Sequence, residues 1–244
     1  ASGLRTGHAL RLAARVRRAE LDRVAGRTVR RSEARRVVHV RVRVPVHEPI
    51  DVGDRAVHGW NPPAYAALLG VAYAPAAKLP PAELAARLDR ILESAQQLLR
   101  LVPERLMDWR PPERDRPLRD LGYHVFRLAL GFVDGMDLGE FPERWLGERA
   151  PADLHDGAAI ARYGALVRGR IAGGFEGASA REFERVIRVY YGPQSAHELL
   201  ERTTWHAAQH LRQLYVLADR LGLTPPAPLP TDAFEGLPLP DALW

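Results

Sequence analysis

Two histidines stand one helical turn apart near the end of the chain, in the stretch TTWHAAQHLRQL. His206 and His210 have i,i+4 spacing, which places both side chains on one face of a helix. Residues recur along that face at alternating intervals of three and four, as on the inward seam of a helical bundle. The seam comprises Leu199, Thr203, His206, His210, Leu214, Leu217 and Leu221. The pattern therefore predicts that both imidazoles face the protein interior.

A third histidine occupies the inward face of another amphipathic helix, in the stretch LRDLGYHVFRLA. The inward seam there comprises Leu121, His124, Leu128 and Gly131. Three imidazoles on facing helices can converge on one ion, because neutral imidazole offers a lone pair to Zn²⁺, Ni²⁺ or Fe²⁺. Three protein ligands with one open position are typical of catalytic zinc, and water or a substrate atom takes the open position. We therefore interpret His124, His206 and His210 as candidate metal ligands.

The same three histidines also have a purely structural interpretation. A single inward histidine is commonly a core residue whose nitrogens form hydrogen bonds, and an HxxxH pair alone is a weak motif. Three inward histidines are harder to accommodate in this way, because each buried ring nitrogen needs a partner. The residues alone leave both interpretations open.

The sequence contains no cysteine, which restricts the chemistry that this chain can perform. A disulfide framework, a thiolate zinc site, an iron–sulfur cluster and a catalytic cysteine are all excluded within it. Any metal must therefore be held by histidine or carboxylate. Any thiol chemistry would require a thiol from outside the chain.

The positive charge of the chain is confined to its N-terminal end. The 244 residues carry a formal net charge of +5, and residues 1–44 alone contain 13 arginines and three acidic residues. The remaining 200 residues carry a net charge of −5. Residues 1–44 hold no aromatic side chain that could stack on bases, and no helix-turn-helix or zinc-finger motif is present. We interpret this segment as a basic arm and do not expect nucleic-acid binding.

Four long amphipathic helices have to position the histidines. Apolar periodicity predicts these helices over 81–101, 117–136, 152–172 and 195–221. Ser195 and Glu198 have the spacing of a capping box at the start of the last one. The fold class predicted is mainly α, a four-helix up-down bundle over residues 81–222. A short strand-like piece is expected at 184–191, and the Pro-rich tail at 223–244 is expected to lie along the surface.

A small α+β segment is predicted in front of the bundle, over residues 1–70, followed by an Ala- and Pro-rich linker at 71–80. Helical spacing of apolar residues predicts a helix over 8–24, and alternating valines predict a strand over 38–46. A hairpin about Gly53-Asp54 and a helix over 62–69 follow.

The order and the amino-acid sequence of the histidine motifs resemble those of a known family. LRDLGYHVFRLA precedes YYGPQSAHELLERTTWHAAQHLRQLYVLADRLG, and together they resemble the DinB-like superfamily over residues 80–222. The resemblance implies a four-helix bundle of DinB-like type and makes His124, His206 and His210 the metal ligands. Members include enzymes in which a metal-bound low-molecular-weight thiol is the nucleophile, as well as hydrolases.

The resemblance implies a divalent-metal-binding protein, a transferase or hydrolase acting on a small substrate, with an exogenous low-molecular-weight thiol as one option. Zinc is the first expectation for the metal, with nickel or iron as alternatives. The alternative function is a non-catalytic ligand-binding or sensor module with a vestigial or structural metal site. A homodimer is compatible with the resemblance, and the catalytic residues stay unassigned.

Three residues near the histidines are weaker candidates for binding the substrate or a thiol. Arg127 and Arg212 carry positive charges suited to an anionic group, and a surface ion pair is the alternative role for each. Gln209 adjoins His210 in sequence, but neighbouring residues on a helix point in different directions, which favours packing or indirect support of the ligands.

Two further expectations concern the front segment and the cell compartment. Residues 38–70 faintly resemble the C-terminal part of a glutaredoxin-like domain, a strand, a hairpin and a closing helix, without the CxxC motif. No apolar run approaches the roughly 20 residues that a membrane span requires. No signal-peptide pattern is present at the N-terminus, so a cytoplasmic protein is expected.

Overall fold

The computed structural model describes residues 8–14, 38–44, 50–52, 55–57, 62–70 and 77–244. The chain divides into two compact units, which are described separately. The first comprises residues 1–77 and 240–242, and the second comprises residues 78–239 with 243–244.

The first unit contains two antiparallel strand pairs and one short helix. Strand β1 (His8–Ala14) pairs with β2 (Val38–Val44), and His8 lies opposite Val44. Strands β3 (Ile50–Val52) and β4 (Arg55–Val57) form a hairpin on which helix α1 (Pro62–Leu69) packs.

The helix predicted over 8–24 is wrong in its first part, because residues 8–14 form strand β1. The stretch HALRLAA fits a period of two as well as a helical period, and antiparallel pairing with β2 decides between them. Residues 15–24 lie outside the described part of the chain, as do residues 71–76 of the predicted linker.

The predictions for residues 38–69 of this unit agree with the structure where it is described. The strand at 38–44, the hairpin and the helix at 62–69 are confirmed, with the turn residues Gly53 and Asp54 outside the described part. The glutaredoxin-like relationship of this segment stays a prediction.

Four long helices form the second unit. They are α2 (Pro81–Leu99), α3 (Leu118–Leu138), α4 (Gly157–Phe175) and α5 (Ala196–Arg220). Helix α3 ends at Gly139, whose φ of 74° is the left-handed conformation that favours glycine at a helix end. The predicted capping box at the start of α5 is confirmed, because the Ser195 and Glu198 side chains each bond the other residue's backbone N–H.

Helix α4 begins five residues later than predicted. The carboxylate of Asp156 accepts a hydrogen bond from Ala159 N at 2.6 Å and so caps the helix at this point. Residues 152–155 precede the cap, and residues 152–153 form a turn. The sequence contains two aspartates before the helix, Asp153 and Asp156, and the second one is the cap.

The four helices form a bundle in which α2 and α3 each pack against both α4 and α5. Helices α2 and α3, although consecutive in the chain, touch each other only slightly and therefore face each other across the bundle. The predicted four-helix bundle is confirmed, and α3 and α5, the helices that carry the histidines, are direct neighbours. The largest fully buried side chains of the bundle core are Phe126, Leu84, Leu88, Ile91, Leu92, Leu98, Leu99, Met107, Leu118 and Ile160.

A small three-stranded sheet is formed by the segment after α3 and the segment before α5. Strand β6 (Val186–Val189) pairs in parallel with β5 (Glu140–Phe141) and antiparallel with β7 (Gly192–Ser195). Its Ile187 and Val189 are buried while the residues between them are exposed, which matches the alternation of a half-buried strand. Because β7 runs directly into α5, this sheet fixes where the histidine-bearing helix starts.

Most residues of the tail at 223–244 are exposed or half-buried, which agrees with the predicted surface position, and two are buried. Ala233 and Leu237 are buried, and the Arg87 guanidinium of α2 donates hydrogen bonds to the carbonyls of Ala233 and Glu235. The Tyr215 hydroxyl of α5 accepts a hydrogen bond from Leu229 N at 2.8 Å. The tail is thus attached to the bundle by hydrogen bonds between bundle side chains and the tail's backbone, which the sequence pattern of the tail does not reveal.

Within the described residues, none of the helices combines the length and apolar character needed to cross a membrane.

The start of α4 depends on a glycine that lies against the backbone of another helix. A Cβ atom at Gly157 would collide with the carbonyl oxygens of Leu99 and Val102, the latter at 2.7 Å. We expect Gly157→Ala to lower the free energy of unfolding by about 3 kcal/mol, because backbone cannot move aside as a flexible side chain can.

Gly169→Ala is the matched control in the same helix, since nothing lies within 4 Å of a Cβ atom there. Helix propensity alone should raise its stability by about 0.5–1 kcal/mol. Urea unfolding followed by circular dichroism compares the two variants. Equal effects of the two substitutions would contradict the close approach.

Candidate metal centre

The packing of α3 against α5 brings the three inward histidines together. His124 projects from α3, and His206 and His210 project from successive turns of α5. His124 and His210 are each 4% exposed, and His206 is half-buried. All members of both predicted seams are at least half-buried, so the inward orientation read from the sequence is confirmed.

The three rings face one another closely enough to share a ligand. Their centroids are separated by 5.3 Å for His124–His206, 5.1 Å for His124–His210 and 4.4 Å for His206–His210. One nitrogen from each ring can be chosen so that all three lie within 4.8 Å of one another. Ligand nitrogens around a tetrahedral zinc ion lie about 3.3 Å apart. The His206 and His210 Nε2 atoms, 3.2 Å apart, already match that spacing.

His124 carries a buried ring nitrogen that nothing satisfies. Its Nδ1 is buried and has no hydrogen-bond partner anywhere in the described part of the chain. Burial holds the pKa of His124 well below its ordinary value, and the neighbouring His210, Arg116 and Arg114 lower it further. The imidazole is therefore neutral near pH 7. A neutral ring with an unshared lone pair in an enclosed position is suited to a metal ion.

The tautomer of His210 is set by Gln213. The Gln213 amide Nε2 donates to the Leu243 carbonyl at 2.6 Å, so its Oε1 is the atom that faces His210 Nδ1 at 2.7 Å. Oε1 can only accept, hence Nδ1 of His210 carries the proton and donates it. His210 Nε2 is then unprotonated, and its lone pair is directed at His206 and His124. This is the arrangement that holds metal-ligating histidines in many proteins.

Gln209 and Arg212 belong to the same hydrogen-bond network. The Gln209 Nε2 atom also donates to the Leu243 carbonyl, at 2.8 Å, and its Oε1 accepts from Arg212 Nη1 at 2.9 Å. Gln209 thus shares its acceptor with Gln213, and Arg212 is bound to Gln209. Substrate binding by either residue stays a prediction.

Arg127, the other predicted anion-binding residue, is engaged in ion pairs. Its guanidinium pairs with Glu148 and with Asp134, the latter at 3.2 Å, and lies 4.8 Å from the centre of the Trp145 ring. The side chain is buried by these contacts. An external anion would have to displace two carboxylates from it, so this geometry favours the ion-pair alternative.

The sequence interpretation missed two groups that act on the triad. Gln213 lies three residues after His210, and an i,i+3 pair on a helix is within hydrogen-bond reach, so the spacing could have revealed it. The Leu243 carbonyl could not have been found in this way. It is a backbone atom from the tail, and only the chain path brings it to α5.

The fold and the site together define a four-helix bundle with three facing histidines from two adjacent helices. A family model for the DinB superfamily matches residues 87–214, which is more than half of the chain. The chain therefore belongs to the DinB superfamily, as its histidine motifs indicated. Comparison with curated proteins gives no match.

Three solved structures are similar in fold to this chain. YjoA from Bacillus subtilis, described as DinB-like, has 14% identity, covers 60% of this chain and 95% of its own, and has a TM-score of 0.49. A DinB-like protein from Bacillus cereus has 18% identity, coverage of 57% and 91%, and a TM-score of 0.47. YfiT from Bacillus subtilis has 16% identity, coverage of 62% and 95%, and a TM-score of 0.48. YfiT is described as a probable metal-dependent hydrolase with an unusual four-helix bundle topology.

The role of Gln213 can be tested without any metal present. In chelator-treated protein we expect His210 to populate the tautomer with the proton on Nδ1. Gln213→Leu removes the acceptor for that proton, so the tautomer with the proton on Nε2 should gain population. Long-range ¹⁵N–¹H NMR of the imidazole nitrogens measures the ratio.

Gln209→Leu is the matched control, because it removes the other donor to the Leu243 carbonyl and leaves the contact with His210 intact. Its His210 signals should stay as in the wild type. A Gln213→Leu spectrum indistinguishable from the wild type would show that this amide does not set the tautomer.

Proposed function

We propose that His124, His206 and His210 hold one divalent metal ion and that the protein is a metal-dependent transferase or hydrolase acting on a small substrate. The observation that carries the proposal is the convergence of one nitrogen from each ring within 4.8 Å. The unpartnered Nδ1 of His124 supports it, and so does the Gln213 hydrogen bond to His210, because it places the proton of that ring on Nδ1 and leaves Nε2 as the nitrogen facing the triad.

The donor set indicates which metals suit the site. Three imidazoles, with no thiolate and no carboxylate among them, fit zinc, and nickel or iron are alternatives. Three protein ligands leave a position for water or for a substrate atom, as in catalytic rather than structural zinc sites. When bound, such a metal supplies Lewis-acid polarisation and lowers the pKa of a water or thiol on it.

The chain's own residues provide the surroundings for this chemistry. The α3–α5 interface holds the three rings, and Gln213 fixes the His210 tautomer. The sequence contains no cysteine, so a thiol nucleophile would be an exogenous low-molecular-weight thiol.

The first test is whether the purified protein, prepared without a histidine tag, binds metal. Elemental analysis should find close to one divalent ion per chain, and zinc titration should restore it after chelation. His124→Ala, His206→Ala and His210→Ala should each weaken zinc binding by about a hundredfold or more, since each removes a ligand.

His155→Ala provides the control, because His155 is exposed and hydrogen-bonds only locally, to the Asp153 carbonyl. Its zinc affinity should equal that of the wild type. Protein that binds neither zinc nor nickel overturns the proposal. Unchanged affinity in the three triad variants shows that other residues hold the ion.

The second test concerns turnover. We expect the zinc- or nickel-loaded protein to consume either a small ester or amide, or an electrophile together with a small thiol. The rate should fall to background on chelation and in the His206→Ala variant, because the metal is needed to generate the nucleophile. Full metal occupancy without turnover of any compound in a broad panel would favour the non-catalytic binding module instead.

A further inference from the structure

A polar cavity of about 330 Å³ lies beside the first turn of α3. Its charged lining residues are Arg110, Asp115, Arg116, Asp120, Glu148 and Arg149. The size is that of a site for a small molecule or for one end of it.

The acidic residues of this cavity are already engaged. Asp115 accepts a hydrogen bond from Arg110 at 2.6 Å, Glu148 pairs with Arg127, and Asp120 accepts from the backbone N–H of Ala150 at 3.1 Å. Two cavity arginines, Arg116 and Arg149, are left without an acidic partner within ion-pair distance among the described residues. The cavity therefore offers guanidinium donors for which the protein supplies no acceptor.

Arg116 is the more constrained of the two. Its Nη1 is buried and has no hydrogen-bond partner in the part of the chain that the structure describes. Burial lowers the pKa of Arg116 to about 10, with a further contribution from the positive charge of Arg114, and Asp120 offsets this only in part. Burial also lowers the pKa of Arg114. Two desolvated cations close together, one with an unsatisfied N–H donor, are costly unless an anion accompanies them.

One lining residue of the cavity lies one helical turn from a histidine of the triad. Asp120, in its lining, lies four residues before His124, so the two share one face of α3 and are one helical turn apart. One turn of helix corresponds to about 5.4 Å. Arg114 and Arg116 are also near enough to His124 to act on its charge state. A molecule anchored at Arg116 could therefore extend to the histidines.

We propose that this cavity binds an oxyanion group, a carboxylate or a phosphate, of the small molecule that reacts at the histidine triad. Arg116 and Arg149 donate to its oxygens, and Arg114 contributes positive charge. Guanidinium groups suit this task because they bind carboxylate and phosphate oxygens in a fixed planar geometry. The cavity by itself supports the anion site, whereas the assignment of that anion to the substrate rests on the proposed function.

The test measures anion binding by the full chain, with phosphate and succinate as probes at constant ionic strength. Wild-type protein should show saturable binding of at least one probe, read from NMR chemical shifts and from a rise in the melting temperature. Arg116→Gln and Arg149→Gln should each raise the dissociation constant about tenfold, because each removes charge-assisted hydrogen bonds. Tighter binding of phosphate or of succinate identifies the preferred oxyanion.

Arg181→Gln is the control, an exposed arginine in the short helix Ala180–Glu184, distant in sequence from the cavity. Its probe affinity should equal that of the wild type. Without added anion, Arg116→Gln should melt at or above the wild-type temperature, since it removes an uncompensated buried charge. A lower melting temperature with unchanged probe affinity would show a structural role and overturn the proposal. Absence of saturable binding, or equal weakening in Arg181→Gln, would also overturn it.

One further variant separates the anion site from the metal site. His206→Ala should weaken zinc binding about a hundredfold and leave probe binding unchanged, whereas Arg116→Gln should weaken probe binding about tenfold and leave zinc binding unchanged. Probe binding in a protein that binds no metal would leave the anion site standing and overturn only the metal proposal. Zinc binding in a protein that binds no probe would do the reverse.

Discussion

The contact between α3 and α5 brings three imidazoles together, two of them buried, and their nitrogens have to be satisfied there. A buried ring nitrogen without a partner costs free energy. The protein itself satisfies His210 Nδ1 through Gln213 and leaves His124 Nδ1 with no partner among the described residues. A metal ion at the centre would use the lone pairs that remain. The other features of the site follow from this requirement.

The hydrogen bonding of His210 depends on residues that are far apart in the sequence. Gln213 can face His210 with its oxygen because its nitrogen is bound to the Leu243 carbonyl, and Gln209 donates to the same oxygen. The same tail is also attached to α5 by the hydrogen bond from Leu229 N to the Tyr215 hydroxyl. A hydrogen-bonded chain therefore connects the end of the described structure to the triad. The orientation of the His210 ring thus depends on tertiary packing as well as on its place in α5.

Charge is distributed around the triad in two different ways. Arg127 is neutralised by two carboxylates and held against Trp145, which makes it part of the scaffold. Arg114 and Arg116 are partly desolvated without such compensation, at the start of the helix that carries His124. The positive charges of Arg114 and Arg116 lie near the neutral imidazole of His124, and positive charge there favours anionic molecules.

The sequence by itself determined the bundle helices and the three inward histidines, because apolar spacing and i,i+4 pairing are local properties of a helix. It also determined the capping box at Ser195, where both partners lie within one turn. Only the tertiary structure decided that residues 8–14 form a strand, since the partner strand at 38–44 is distant in sequence. The same holds for the pairing of α3 with α5, for the contact of the Leu243 carbonyl with Gln213, and for which arginines lack a carboxylate. Each depends on contacts between distant segments, which residue periodicity does not encode.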